Sequence, residues 1–257
     1  MTTSNLQTTT AQQNLIGKVA FVQGGSRGIG AAIAKRLAQA GAAVAISYAS
    51  SPKQAQEVVQ AIEAAGGRAL ALRADSADAK AIVQAIDTTA TAFGSVDVLV
   101  NNAGVLALGS IEEFKLEDFD RTLAINVRSV FVATQAALKY MGEGGRVITI
   151  GSTNAERMPF AGGGTYAMSK AAIVGLTKGL ARDLGPRGIT INNVQPGPVD
   201  TDMNPENSEF ASTLKGLMAI NRYGHVDEIA GFVAYLASPE AAYITGASLT
   251  IDGGFSA

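Results

Sequence analysis

Between Lys18 and Gly41 the hydrophobic period changes once, at a cluster of glycines, and this change narrows the possible folds more than any other stretch. Lys18 to Gln23 is a short apolar run suited to a buried strand. Gly24-Gly25-Ser26-Arg27-Gly28-Ile29-Gly30 follows without a spacer, and Ile29, Ile33 and Leu37 then recur at helical spacing until Gly41. Such a Gly-x-x-x-Gly-x-Gly turn between strand and helix lets the backbone approach a pyrophosphate. The helix start offers it unpaired N–H groups and the positive end of a dipole. Taken alone, the same turn is also simply a tight connection, so context decides.

That context is a repeated alternation of strand and helix. Ala42 to Tyr48, Ala69 to Arg73, Val96 to Val100, Val147 to Ile150, Thr190 to Gln195 and Ala247 to Ile251 read as further strands. Helical patterns cover Pro52 to Ala65, a stretch opened by Asp75-Ser76 and running to about Phe93, Glu117 to Met141, and Val226 to Ala237. A helix also opens at Tyr166. With 257 residues, 47% of them hydrophobic and 16% charged, the chain can bury one large α/β core over residues 15–257. Residues 1–14, uncharged and rich in Thr, Gln and Asn, read as a flexible polar tail.

Composition excludes several classes of function. A net charge of -2 gives no broad positive field for nucleic acid or an anionic membrane. No apolar run approaches the length of a membrane span, and no signal sequence is evident, so a cytoplasmic location is expected. Cysteine is absent and His225 is the single histidine, which leaves no thiolate chemistry and no expected metal site. His225 reads as structural, just ahead of a helix.

Chemistry-bearing residues gather at the ends of the strands. Tyr48, Ser50 and Ser51 follow the second strand, where an NAD-preferring site would place an acid on the adenosine ribose. Serine hydroxyls and Arg27 would instead suit a 2′-phosphate, making NADP the better match; equally, Arg27 is a surface arginine and the serines cap a helix. Asp75 is either a helix N-cap or an acceptor from an adenine amino group. Asn101-Asn102-Ala103-Gly104 closes the fourth strand, and Asn126, among Leu123, Ile125 and Val127, needs partners if buried. It could hold a water or belong to a structural network.

The fifth strand ends at Gly151-Ser152, and Tyr166 and Lys170 stand one helical turn apart. A free phenol has a pKa of about 10, too high for work near neutrality, and a neighbouring ammonium favours tyrosinate and lowers it. Tyr166 then serves as acid or base, Ser152 donates to a carbonyl oxygen, and hydride comes from a nicotinamide. By itself a Tyr-x-x-x-Lys pair is more often a solvated tyrosine beside a lysine.

In combination these motifs resemble the short-chain dehydrogenase/reductase family. The resemblance covers Leu15 to Ala257 and rests on Gly24-x-x-x-Gly28-x-Gly30, Asn101-Asn102-Ala103-Gly104, Asn126, Ser152, Tyr166-x-x-x-Lys170, Pro196-Gly197 and Asp252-Gly253-Gly254. It implies a Rossmann-type doubly wound seven-stranded parallel sheet, order 3-2-1-4-5-6-7, with helices on both faces. It also implies NADPH as cofactor and a homotetramer. The implied catalytic set is Asn126, Ser152, Tyr166 and Lys170. The implied cofactor contacts are the glycine turn with Ser26, Arg27 and Ile29; Tyr48, Ser50 and Ser51; Asp75 and Ser76; and Asn102, Ala103 and Gly104. Tyr166, Lys170, Pro196, Gly197, Val199 and Thr201 complete them. Gln23 stands where the family usually has threonine, which puts in doubt the brace between the turn and the asparagine strand.

Within the family the chain resembles 3-oxoacyl-acyl-carrier-protein reductases and related carbonyl reductases, and also cyclic-di-GMP-binding biofilm-dispersal proteins. Tyr140-Met141-Gly142-Glu143-Gly144-Gly145 is short and acidic where a user of acyl-carrier protein would be basic, so a small free ketone or aldehyde is expected. A mobile lid is expected over about 198–220, a stretch that also reads as a surface loop. Glu156, Arg157, Phe160 and Met203 are the expected substrate-pocket residues, core packing being the ordinary fate of the apolar ones.

Overall fold

The computed structural model describes residues 13–257; most of the expected tail at 1–14 lies outside the described residues. Seven strands form one parallel sheet in the order β3-β2-β1-β4-β5-β6-β7: β1 Val19–Gln23, β2 Ala43–Tyr48, β3 Arg68–Arg73, β4 Val98–Asn101, β5 Arg146–Ile150, β6 Thr190–Pro196 and β7 Ser248–Ile251. This is the expected order. Every residue of β1, β4, β5 and β6 is buried, as required of strands covered on both faces.

One face is covered by α1 Gly28–Gln39, α2 Pro52–Ala64 and α8 Val226–Ala237, whose Ile33, Leu37, Val58, Ile62, Ile229 and Val233 pack on Val22, Val44, Val100 and Ile148. The other carries α3 Ala79–Phe93, α5 Ser129–Ala137 and α6 Gly164–Leu184, with Ile82, Ile86, Ala133 and Leu184 against Phe21, Leu99 and Val147. Between α3 and α5 lies α4, Leu116–Leu123, and a short α7 spans Ala211–Gly216. The strand order reverses between β1 and β4, so their carboxyl ends open a crevice where α/β sheets bind ligands.

Three expected helices differ in detail, and β4 begins at Val98 rather than Val96. The stretch read as one helix from Glu117 to Met141 is α4, a π-helical turn over Ala124–Arg128, and α5. It stops at Ala137, and the Arg187 guanidinium donates to the carbonyls of Leu138 (2.9 Å) and, beyond the helix, Met141 (3.0 Å). The third helix begins later than Asp75-Ser76. Its cap is Asp78, which accepts from the amides of Lys80 (2.9 Å) and Ala81 (3.2 Å), while Asp75 accepts from Ala77 N in a turn of its own. Helix α6 opens at Gly164, two residues ahead of Tyr166.

His225 caps α8: its Nδ1 accepts from Asp227 N, and Glu228 returns to accept from His225 N at 2.7 Å. Among the described residues no helix is long and apolar enough to cross a membrane. Leu37, fully buried in the last turns of α1, is a direct test of the packing. Leu37→Ala should lower unfolding stability by about 2–5 kcal/mol in urea titration.

Candidate active site

The site is assembled where the glycine turn meets the end of β4. Gly24 and Gly28 adopt left-handed φ angles of 69° and 53°, and the Gly24 amide donates to Ser47 Oγ at 3.1 Å. Ser47 was hidden inside the apolar run of β2, and only the structure assigns it this part. The Asn102 carboxamide donates to the carbonyls of Gln23 (3.2 Å) and Gly24 (2.9 Å), so the turn is braced from β4. The brace placed in doubt by Gln23 is thus supplied through backbone. The Gln23 side chain goes elsewhere, donating to Ser76 Oγ at 3.1 Å.

Gly30 must lack a side chain, because an added Cβ would lie 2.4 Å from both Asn102 Nδ2 and Gly24 O. Beyond it, α1 begins with no side-chain cap and no acid in its first turn, which leaves its N-terminal amides and dipole to an anion. Ser26 is buried, Ile29 partly buried and Arg27 exposed. The Arg27 guanidinium lies 3.6 Å from the equally exposed Asp202 carboxylate, a weak pair that a phosphate can displace. Ser51 occupies the N-cap position of α2 without a side-chain capping bond, Ser50 beside it is exposed, and Tyr48, partly buried, ends β2. A pyrophosphate-bearing nucleotide with a 2′-phosphate fits this donor set.

On the far side of the crevice the residues expected to handle protons come together. A Cβ placed on Gly104 would stand 3.6 Å from Asn126 Oδ1 and 3.6 Å from Lys170 Nζ. Asn126, buried in the π-helical turn, accepts from Val105 N (2.9 Å) and donates to Val105 O (3.0 Å) and Ser169 Oγ (3.0 Å). Ser169 in turn donates to Tyr166 O at 2.7 Å. Ser169 sits inside the Tyr-x-x-x-Lys motif, yet its inward aim is a matter of helix phase that the motif does not record. Ser152, buried at the end of β5, accepts from Asn154 N at 3.1 Å, and Thr153 donates to Pro196 O, joining this loop to the exit of β6.

Electrostatics depart from expectation at one point. Lys170 is buried, donates to Ile150 O at 2.9 Å, and lies 5.8 Å from the Tyr166 ring centre. Burial pushes its ammonium down to about 8. Burial also pushes the Tyr166 phenol above its ordinary value, and a hydrogen bond with Ser152 works in the opposite direction. The expected lowering of Tyr166 by Lys170 is therefore not met by these side chains alone: desolvation outweighs the Ser152 hydrogen bond, and the Lys170 ammonium is turned toward the Ile150 carbonyl.

Other expected residues are placed as follows. Ala103 lies against Gly24, and Thr201 Cγ2 stands 3.5 Å from where a Gly28 Cβ would be. Val199 is buried and bridges to Gly224, Gly197 is packed on Asp252, and Asp75 is exposed beside Ser76. Of the expected pocket residues, Glu156 and Met203 are exposed, Phe160 meets the Phe210 ring edge-on at 5.4 Å, and the Arg157 guanidinium donates to Phe255 O. A cleft of about 630 Å³ lies between Gly28, Lys35, Thr201, Asp202 and Asp227; Ser152, Tyr166 and Lys170 are not in its walls.

A doubly wound sheet with a glycine turn at its switch point and a serine, tyrosine and lysine at the adjoining strand end defines a nucleotide-dependent oxidoreductase architecture. A family model described as enoyl-(acyl carrier protein) reductase matches residues 24–256, and the chain belongs to the short-chain dehydrogenase/reductase family. It is 68% identical to a short-chain dehydrogenase/reductase from Serratia marcescens, with a TM-score of 0.94 over 95% of this chain and 100% of that one. A Burkholderia cenocepacia short-chain dehydrogenase in complex with NADP is 56% identical, with a TM-score of 0.94 over 95% and 100% of the two chains. The cyclic-di-GMP-binding biofilm dispersal mediator of Escherichia coli is 47% identical over 241 residues, 94% of this chain and 98% of that protein.

Two outcomes follow from this geometry. Gly30→Ala should weaken NADPH binding measured by fluorescence titration by at least about tenfold, its methyl displacing Asn102 or the turn. The profile of kcat/KM for NADPH, which reports the free enzyme, should fall as pH rises through about 8, where Lys170 loses its charge, and Lys170→Met should lack that limb. Linked stability runs the other way. The unfolded chain holds the Lys170 proton to higher pH, so the burial cost is relieved as pH rises above about 8.

Proposed function

We propose that the protein is an NADPH-dependent carbonyl reductase acting on a small free ketone or aldehyde. The observation that carries this reading is the convergence of Asn126 and Lys170 on Gly104, at the strand ends where Asn102 holds the glycine turn and where Ser152 and Tyr166 lie. When bound, the nicotinamide supplies hydride to the carbonyl carbon. Ser152 donates a hydrogen bond to the carbonyl oxygen and stabilises the negative charge growing there. Tyr166 gives that oxygen its proton. The phenol arrives protonated near neutral pH; burial makes it a weaker acid, a cost that the neighbouring ammonium offsets as tyrosinate forms.

Lys170 contributes positive charge beside the tyrosinate left behind, and Asn126 fixes the Val105 backbone and Ser169 around it. The preference for NADP rests on Arg27, Ser50 and Ser51, and on the absence of an acid from Tyr48 to Ser51. Residues 198–220 act as the lid, with Phe160 and Met203 on the substrate side. Exposed Tyr235 and Tyr243, on and beside α8, support assembly into a homotetramer.

With a panel of small ketones and aldehydes, NADPH oxidation should be rapid in the wild type and about 10²–10⁴-fold slower in Ser152→Ala and Tyr166→Phe. Wild-type turnover in both variants would remove the catalytic assignment. NADPH should be preferred over NADH in kcat/KM, and Arg27→Ala should narrow the ratio; a native preference for NADH would overturn the cofactor reading.

The name of the Escherichia coli relative favours a second reading, a nucleotide-binding sensor on the same fold. It requires cyclic-di-GMP to bind in competition with NADPH in calorimetry. No heat of binding at physiological concentrations removes it.

A further inference from the structure

The segment following β7 is fastened by an unusually complete set of bonds. Asp252 Oδ1 accepts from Gly254 N at 2.9 Å, and Oδ2 accepts from Ser256 N at 2.8 Å and from Ser256 Oγ at 2.6 Å. This turn delivers Phe255 into a small apolar cluster separate from the two cores of the sheet. There its ring, 2% exposed, packs with Ala211, Leu214, Met218 and Tyr223, and Phe160 and Leu217 pack against the cluster. The Phe255 carbonyl accepts from the Arg157 guanidinium, which also lies over the Phe255 ring at 5.6 Å.

Each partner belongs to a segment on the substrate side. Arg157 and Phe160 lie in the loop that follows Ser152, and Ala211 to Tyr223 lie in or just beyond the stretch read as the lid. That loop is joined to the loop after β4 by Gly109 N donating to Gly162 O at 3.0 Å, and the lid stretch meets the turn where Ile220 N donates to Gly253 O at 2.8 Å. Phe160 carries the contact outward to the exposed ring of Phe210. The strands and the glycine turn take no part in the cluster.

We propose that Phe255, aimed by the Asp252 turn, is a positioning residue for the reaction. Its ring anchors 211–223 and its carbonyl anchors Arg157, so that one residue fixes both walls of the substrate side through a cluster that includes none of the expected nucleotide contacts. Arg157 is thereby a strut rather than a partner for an anionic substrate. The claim about substrate rests on the carbonyl-reductase reading; the claim about the two segments does not.

The test is hydrogen exchange of the full chain, with and without NADPH, for wild type, Phe255→Ala, Phe255→Leu and Arg157→Ala, alongside NADPH affinity and carbonyl kinetics. Phe255→Ala should speed exchange of 211–223 and 156–163 by about tenfold or more while 19–23 and 98–101 keep wild-type protection. NADPH affinity should stay within about twofold, KM for the carbonyl should rise by about tenfold with a smaller fall in kcat, and Phe255→Leu should recover most of both effects. Arg157→Ala should loosen 156–163 alone. Unchanged exchange in 211–223, a parallel loss of NADPH affinity, or collapse of protection across the whole sheet would each overturn the proposal. Absence of any turnover by the wild type would count against the carbonyl reading, and the exchange data would still decide the clasp.

Discussion

The Asn102 carboxamide, donating to the carbonyls of Gln23 and Gly24, is the joint on which the rest of the molecule depends. It spans the gap between β1 and β4, where the order of strands reverses and where a sheet of this topology has its crevice. Because the amide fills the space beneath the turn, residue 30 can only be glycine, and because the turn is held there, α1 starts with its amides uncapped and facing the crevice. Ser47 completes the hold from β2. A nucleotide site therefore follows from a few short polar contacts set on an apolar sheet.

The reacting side is built on the opposite principle. Lys170 is buried and its ammonium is lowered to about 8, while desolvation of the partly buried Tyr166 holds its phenol proton more tightly. Burial thus brings the lysine toward neutrality and takes the phenol further from it, so forming tyrosinate depends on the positive charge of Lys170 and on the Ser152 hydrogen bond. Asn126 does not stand free in this site; its two amide atoms are matched to Val105 like a strand partner, and its remaining bond reaches Ser169. The π-helical turn gives it that aim by shifting the register of the helix at the point where α4 becomes α5.

Much of this was legible in the sequence, for definite physical reasons. Strands covered on both faces are almost continuously apolar, and the change to helical period at the glycines locates β1 and α1 within about a residue. Motif spacing brought Ser152, Tyr166 and Lys170 to one strand end. What stayed hidden depends on choices between equivalent groups or on contacts distant in sequence. Asp75 and Asp78 offer the same capping chemistry, and only the turn at Ala77 decides between them. A π-helical turn has no distinct hydrophobic pattern. Arg157 looks like any loop arginine until Phe255, 98 residues away, is brought beside it. The sign of the Tyr166 shift is set by burial, which spacing does not encode.

The central claim is that the crevice brings a nicotinamide and a carbonyl together for direct hydride transfer under the tyrosine. The most direct measurement uses NADPH carrying deuterium at C4, prepared separately in each of its two stereochemical forms, with a ketone that the protein reduces. One form should deliver deuterium to the carbinol carbon and the other should deliver none, with the label retained in deuterium-free water. An alcohol without label from either form, or with label from both, would contradict the account.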